Sequence, residues 1–369
     1  MKKRSIGTVA GVAAAALFLA GCSSSSESGT SDASSGSASG SGEVGTVGVI
    51  LPDTATSDRW ETADRPALTA AFENAGVQVD IQNAGGDKAK FATLCDQMIN
   101  EGVSVLMIVN LDSESGAACT DKAAAQGIKT IDYDRLTLGG SSEYYVSFDN
   151  VAVGTKMGEG LVKCMQADGK TSGPVALLNG SPTDNNATLF KEGYETVITD
   201  AGYTIAADQA VPEWDNTTAG TIFEQMYTQA GGNFNGVAAA NDGLGGAAIA
   251  VLEKNGVAGQ IPVTGQDATD EGLQRVLLGT QCMTVYKAIQ KEADAAAALA
   301  IALAKGETPT VSGSVTDPES GQTTPAELLE PVAIFPENVK DVVADGYTTA
   351  ADLCTNAELQ AACEKYGVS

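Results

Sequence analysis

One set of side chains has the types needed to grip a neutral, hydroxyl-bearing ring: Arg59, Trp60, Asp134, Arg135, Asn185, Asn186, Trp214, Asn241, Asp267 and Lys287. Ring hydroxyls both donate and accept hydrogen bonds, and the ring faces present C–H groups. Carboxylates accept from such hydroxyls, Arg and Lys donate to them, and amides do both. The two tryptophans, the only ones in the chain, supply large, stiff apolar area for a C–H face. A metal site would cluster carboxylates, and a phosphate site would use Gly-rich backbone amides. Taken singly, each residue has a plainer reading. Either tryptophan can belong to the core or a lid, Asp134-Arg135 can be a solvated ion pair, and Asn185-Asn186 or Asn241-Asp242 can cap helices. Their joint occurrence carries the argument.

Other chemistry is poorly served. The chain has no histidine, which removes the commonest general base, the Ser-His and Cys-His nucleophile pairs and the commonest metal ligand. No P-loop, no Gly-x-Gly-x-x-Gly after a strand and no CxxC occurs. Two carboxylates alone still suffice to hydrolyse glycosides, so a secreted glycosidase stays as a distant rival. The expectation is a binding protein with no catalytic residue, cofactor or metal.

Placing these side chains together requires a repeated scaffold. Apolar runs at 46–51, 77–82, 103–109, 129–133, 174–178, 204–208, 236–240, 261–265 and 282–286 predict strands. Amphipathic stretches at 60–75, 88–101, 115–126, 151–167, 185–201, 217–230, 243–254 and 287–304 predict helices. Such alternation implies parallel sheets built from right-handed crossovers. About 325 folded residues exceed one ordinary core and imply two domains. The alternation breaks near Tyr144–Asn150, and the chain is expected to cross between lobes there, near Tyr286 and near 325–332. The expected class is α/β, two doubly wound parallel-sheet lobes joined by a three-segment hinge. Residues 45–149 plus 287–326 form the N-lobe, and 150–286 plus 327–369 the C-lobe. Ligands in open α/β sheets sit beyond the carboxyl ends of the strands. The residues named above fall at those ends, with Asp53, Asn110, Asp112, Asp184, Asp242 and Gln266 beside them.

The N-terminus is expected to be processed. Lys2, Lys3 and Arg4 precede an apolar run at 5–20 that ends Leu19-Ala20-Gly21-Cys22. The run is short for a membrane span and has a signal-peptide pattern. Leu-Ala-Gly-Cys is a lipobox, so residues 1–21 are expected to be removed and Cys22 to carry a lipid. Residues 22–44 are a Ser/Gly-rich tether with a reach of roughly 25 Å. The formal charge of −26 argues against nucleic acid and anionic lipid as partners, and loss of the three leader cations deepens it. Beyond Cys22, six cysteines in an oxidising compartment allow fifteen pairings. The expected ones are Cys95–Cys119, Cys164–Cys282 and the local Cys354–Cys363.

Several stretches together resemble the sugar-binding proteins of ABC importers. They are Asp58-Arg59-Trp60, Tyr133-Asp134-Arg135-Leu136, Val146 to Asn150, Gly180-Ser181-Pro182 through Asn186-Ala187, Ala240-Asn241-Asp242-Gly243, Gly265-Gln266-Asp267-Ala268 and Met283 to Lys287. The likeness runs from about Gly45 to about Leu353. It is nearest to the D-xylose-binding group, and the multiple-monosaccharide binders of glucose, galactose and arabinose share much of it. The resemblance implies a type I periplasmic binding protein fold, a monosaccharide ligand, an ABC permease as partner and a monomer. It assigns ligand roles to Arg59, Trp60, Asp134, Arg135, one of Asn185 and Asn186, Trp214, Asn241, Asp267 and Lys287. The cysteines and lipobox depart from the free periplasmic pattern and suit a form anchored to the outer face of the cell membrane, as in a Gram-positive envelope. A sensor lipoprotein that signals to a histidine kinase is the rival from another class.

Overall fold

A computed structural model describes residues 45–54 and 57–369. The leader, Cys22 and the Ser/Gly segment lie outside the described residues. The first lobe holds β1 (Val47–Leu51), β2 (Val79–Asn83), β3 (Val105–Ile108), β4 (Lys129–Tyr133) and β5 (Tyr144–Phe148), all parallel, in the order β2-β1-β3-β4-β5. β1, β3 and β5 are buried at every position. That explains their largely apolar sequence, since helices cover both faces of the sheet. The strand order reverses between β1 and β3, which opens a crevice at the carboxyl ends.

The second lobe repeats the plan with β6 (Gly173–Asn179), β7 (Tyr203–Ala210) and β8 (Gly236–Ala239), ordered β7-β6-β8. The run at 261–265, expected as a strand, forms only a bridge from Val263 to Val237. Pro262 inside it has no N–H to donate, which shortens the ladder. β9 (Thr284–Tyr286) leads into the helix Ile289–Ala304, whose Ala293, Ala296 and Ala300 pack into the first lobe's core.

The chain then forms a hairpin, β10 (Gly313–Thr316) and β11 (Thr323–Leu329), and β12 (Val332–Ile334) pairs antiparallel with β9. β11 pairs with β5 as far as Leu329↔Phe148, so 327–329 lie in the first sheet, beyond the boundary expected at 326. Asp149 N–H donates to Leu329 O at 2.9 Å, and Tyr286 faces Val332 in the β9–β12 ladder. The three crossing segments therefore run together. The C-terminal helices Val339–Ala344 and Ala357–Tyr366 bury Val339, Val342 and Leu359 with Leu273 and Val276 of the helix Asp270–Leu278.

Local sequence fixes the helix ends. Asp87 caps Lys88–Glu101 by accepting from Ala89 N–H and Lys90 N–H, and Gly102 ends it in the left-handed region. The helices Asn150–Ala167 and Asn185–Asp200 cross at Gly154, where an added Cβ would lie 2.0 Å from Phe190 O. The cysteines join as Cys95–Cys119, Cys164–Cys282 and Cys354–Cys363, with Cα separations of 5.9, 6.4 and 6.2 Å.

Two buried carboxyls set a pH dependence. Burial pushes Asp132 up to about 6, against hydrogen bonds from Thr137 and Ser142. Burial pushes Asp242 up to about 6 as well, against Arg275 and Gln281. Both keep a proton in the folded chain that the unfolded chain releases near pH 4. Their stability contribution is therefore complete below pH 4 and is lost as pH rises through about 6. For these groups the unfolding free energy, and the thermal midpoint with it, should rise as pH falls from 7.5 to 5, the free energy by at most about 1.4 kcal/mol per group per pH unit. Asp132→Asn should flatten the slope, which separates this effect from relief of overall charge. An unchanged slope in that variant would refute the assignment.

Candidate functional site

Arg59 and Trp60 follow β1. Residues Trp60–Asp64 form a wide π-helical turn in which Arg65 N–H donates to Trp60 O, and Pro66 beyond it has no N–H to donate. This turn brings residues five apart side by side. Arg59 Nε donates to Asp64 Oδ2 and Nη2 to Asp64 Oδ1, both at 2.8 Å. Its Nη1 donates to Asp134 Oδ2 and its Nη2 to Glu292 Oε2, each at 2.9 Å. One Nη1 hydrogen of the five guanidinium donors is left over. The guanidinium carbon also lies 4.4 Å from the Trp60 ring centroid. Arg59 is therefore the counter-ion of a buried acid cluster before it is a donor to any ligand.

Asp134 leaves β4 at φ 63°, a left-handed conformation that Asp tolerates better than most residues. Its carbonyl accepts from Ser147 Oγ at 2.8 Å, Tyr145 Oη at 3.1 Å and, across the cleft, Asn186 Nδ2 at 2.9 Å. Burial raises its carboxyl, but Arg59, Lys287 and Arg135 outweigh burial and hold it below the usual carboxylate range. Glu292, fully buried, goes the other way. Burial, then the Asp134 and Asp64 charges, push its carboxyl well up and favour the neutral acid.

Asp184, the N-cap of Asn185–Asp200, ties the lobes together. Its Oδ2 lies 3.1 Å from Arg135 Nε of the first lobe and accepts from Trp214 Nε1 at 3.1 Å. The pair at 185–186 divides geometrically. Asn186 Nδ2 reaches Asp134, while its Oδ1 accepts from Asn150 Nδ2 at 2.9 Å. Asn185, half-buried, does not line the cavity. It departs from the expected set because it sits at the first helical position after the cap. Asn241 caps a helix and also lines the cavity described below. Its Oδ1 caps Asp242–Lys254 by accepting from Leu244 N–H at 2.8 Å, which leaves its amide nitrogen as donor.

Lys287 follows β9 and pairs with Asp267 Oδ1 at 3.1 Å and, more distantly, with Asp134 Oδ2 at 3.8 Å. Asp267 adopts φ 92° and Ala268 φ 50°. Tyr347 Oη braces this backbone by donating to Asp267 O at 3.1 Å.

These groups converge on one cavity between the lobes, with about 320 Å³ of atom-free space including its open side. Every expected residue except Asn185 lines it, joined by Ser57, Asp184, Phe190 and Gln266. Phe190 reads as core from its apolar face on a helix. Gln266 and Asp184 stand at strand ends, and Ser57 has no sequence signal. Asp112 and Asp242, also at strand ends, serve as a helix cap and as a buried hydrogen-bond hub. Among the described residues, Ser57 Oγ, Gln266 Oε1 and Asp267 Oδ1 are buried without a hydrogen-bond partner, the last despite its ion pair. Leaving a buried polar atom unpaired costs about 1–3 kcal/mol, a cost that a ligand with hydroxyl groups would relieve at Ser57 Oγ and Gln266 Oε1.

Trp214 depends on a glycine. An added Cβ at Gly180 would lie 2.1 Å from Trp214 Cη2, so the outer edge of the ring sits directly against the backbone there. Gly180→Ala should push the ring toward the cavity and weaken ligand binding about tenfold, in keeping with overpacking costs of about 1–3 kcal/mol. Unchanged affinity would refute the placement of Trp214 as a wall of the site.

The chain is similar to known proteins in sequence and fold. A family profile described as "Periplasmic binding protein domain" matches residues 47–308. The D-xylose-binding periplasmic protein of Haemophilus influenzae is 34% identical over 302 residues, covering 80% of this chain and 89% of the relative. The multiple sugar-binding periplasmic receptor of Rhizobium radiobacter is 31% identical over 328 residues, covering 84% and 92%. The structure of a carbohydrate transporter solute binding protein from Chloroflexus aurantiacus, in complex with D-glucose, matches with a TM-score of 0.75 and 29% identity, covering 83% of this chain and 97% of that one.

Proposed function

This chain belongs to the family of periplasmic binding protein domains, and from that premise we propose that it captures D-xylose between its lobes and delivers it to an ABC importer. The broader role follows from the family: an extracytoplasmic, non-enzymatic sugar-binding component of ABC-type transport. The single observation that carries the ligand chemistry is a cavity walled by both tryptophans in which Ser57 Oγ and Gln266 Oε1 are buried without a hydrogen-bond partner. Hydroxyls supply the missing donors and C–H faces suit the rings. D-xylose is favoured because two relatives named for it reach 34% and 33% identity over four-fifths of the chain. Glucose is the second reading, supported by the glucose complex of the Chloroflexus neighbour.

The sugar would touch Arg135, Asp134 and Trp60 on one lobe and Asn186, Trp214, Asn241 and Asp267 on the other. Binding both lobes at once gives the closed form the differential affinity that a population shift requires. Cys22, lipidated, and the Ser/Gly leash would hold the receptor beside its permease. Both tryptophans line the cavity, so sugar binding should change tryptophan emission saturably. A flat response to xylose, glucose, galactose, arabinose and ribose would sink the proposal.

A further inference from the structure

A second, larger chamber adjoins the first, with about 800 Å³ of atom-free space including its open side, against about 320 Å³ for the inner cavity. The two share Ser57, Asn241 and Asp267 as a common wall. The outer chamber adds Thr54, Asn216, Thr269 and Arg275 with the acids Asp58 and Glu271. Apart from Arg275, the side chains of its lining are hydroxyls, amides and carboxylates, groups that suit sugar hydroxyls, and it has no aromatic ring. Ser57 Oγ, buried and without a hydrogen-bond partner, stands in the shared wall, where a substituent passing from one chamber to the other would meet it.

We propose that the site accepts a glycosidic extension: one sugar ring in the inner cavity and a second neutral ring in the outer chamber. This rests on the sugar-binding reading above and names the substrate class that reading leaves open. The outer chamber selects against anions. Asp58 is pushed up by its own burial and by Glu271, Asp267 and Asp270. The one cation in the lining, Arg275, donates to Asp242 O at 2.6 Å and to Gln281 Oε1 at 3.0 Å. A uronic acid or phosphate in the second position would meet Asp58, Asp267 and Glu271 with Arg275 alone to offset them.

The test compares xylose with xylobiose, and glucose with cellobiose and maltose, by calorimetry on the purified protein and on Asn216→Trp. Asn216 lines the outer chamber and not the inner one. At least one disaccharide should bind within about tenfold of its parent monosaccharide. Asn216→Trp should weaken that disaccharide at least about tenfold, or about 1.4 kcal/mol, and leave the monosaccharide unchanged. Disaccharides all more than tenfold weaker, or a variant that treats both ligands alike, would overturn the extension while the monosaccharide site stands. Failure of every monosaccharide would instead overturn the sugar-binding reading itself.

Discussion

Replacing Arg59 by methionine is expected to destabilise the folded chain by about 3–5 kcal/mol, the cost of leaving buried carboxylates without their cation. Asp64, Asp134 and Glu292 all meet this guanidinium, and all three are almost entirely buried. Arg59→Lys should rescue little, because a single ammonium cannot reproduce the forked pair to Asp64. Glu292→Gln separates charge from packing. Its carboxyl is already pushed toward the neutral acid, so the amide should cost less than about 1 kcal/mol, within the range of one net hydrogen bond. Denaturant unfolding of the ligand-free chain measures both. A loss at Glu292→Gln as large as that at Arg59→Met would show an ionised Glu292 and contradict the account of the cluster.

The second large effect concerns binding. Asp267→Asn should weaken sugar affinity about 100-fold, the range of one hydrogen bond to a charged acceptor at about 1.5–3 kcal/mol. Asn tolerates positive φ as Asp does, and Tyr347 braces the backbone of Asp267 and not its side chain. Lys287 keeps Asp134 at 3.8 Å. Stability should therefore fall much less than in Arg59→Met. Calorimetry with sugar, paired with unfolding without it, distinguishes the two results. A variant that unfolds readily but binds normally when folded would remove Asp267 from the site.

Much of this was legible along the chain because two periodicities are strong. Buried strands such as Val105–Ile108 are apolar throughout, and helix starts carry capping acids such as Asp87 and Asp184. Strand ends then point to the cavity by topology alone. What stayed hidden depends on three-dimensional context. Phe190 looks like core until the second lobe meets the first. The left-handed backbone at Asp134 and Asp267 has no glycine to announce it. Glu292 and Asp64 lie on elements far apart in sequence and meet only around Arg59. The 313–316 strand is mostly polar and half of a surface hairpin, so no apolar alternation marks it.

The central claim is that the inter-lobe cavity is a monosaccharide site, and D-xylose its ligand. Isothermal titration of the chain from Gly45 onward with D-xylose tests it most directly. The account predicts one saturable site, weakened about 100-fold by Asp267→Asn as a charged hydrogen bond requires. No heat from D-xylose would contradict the ligand, and no heat from glucose, galactose, arabinose or ribose as well would contradict the monosaccharide site.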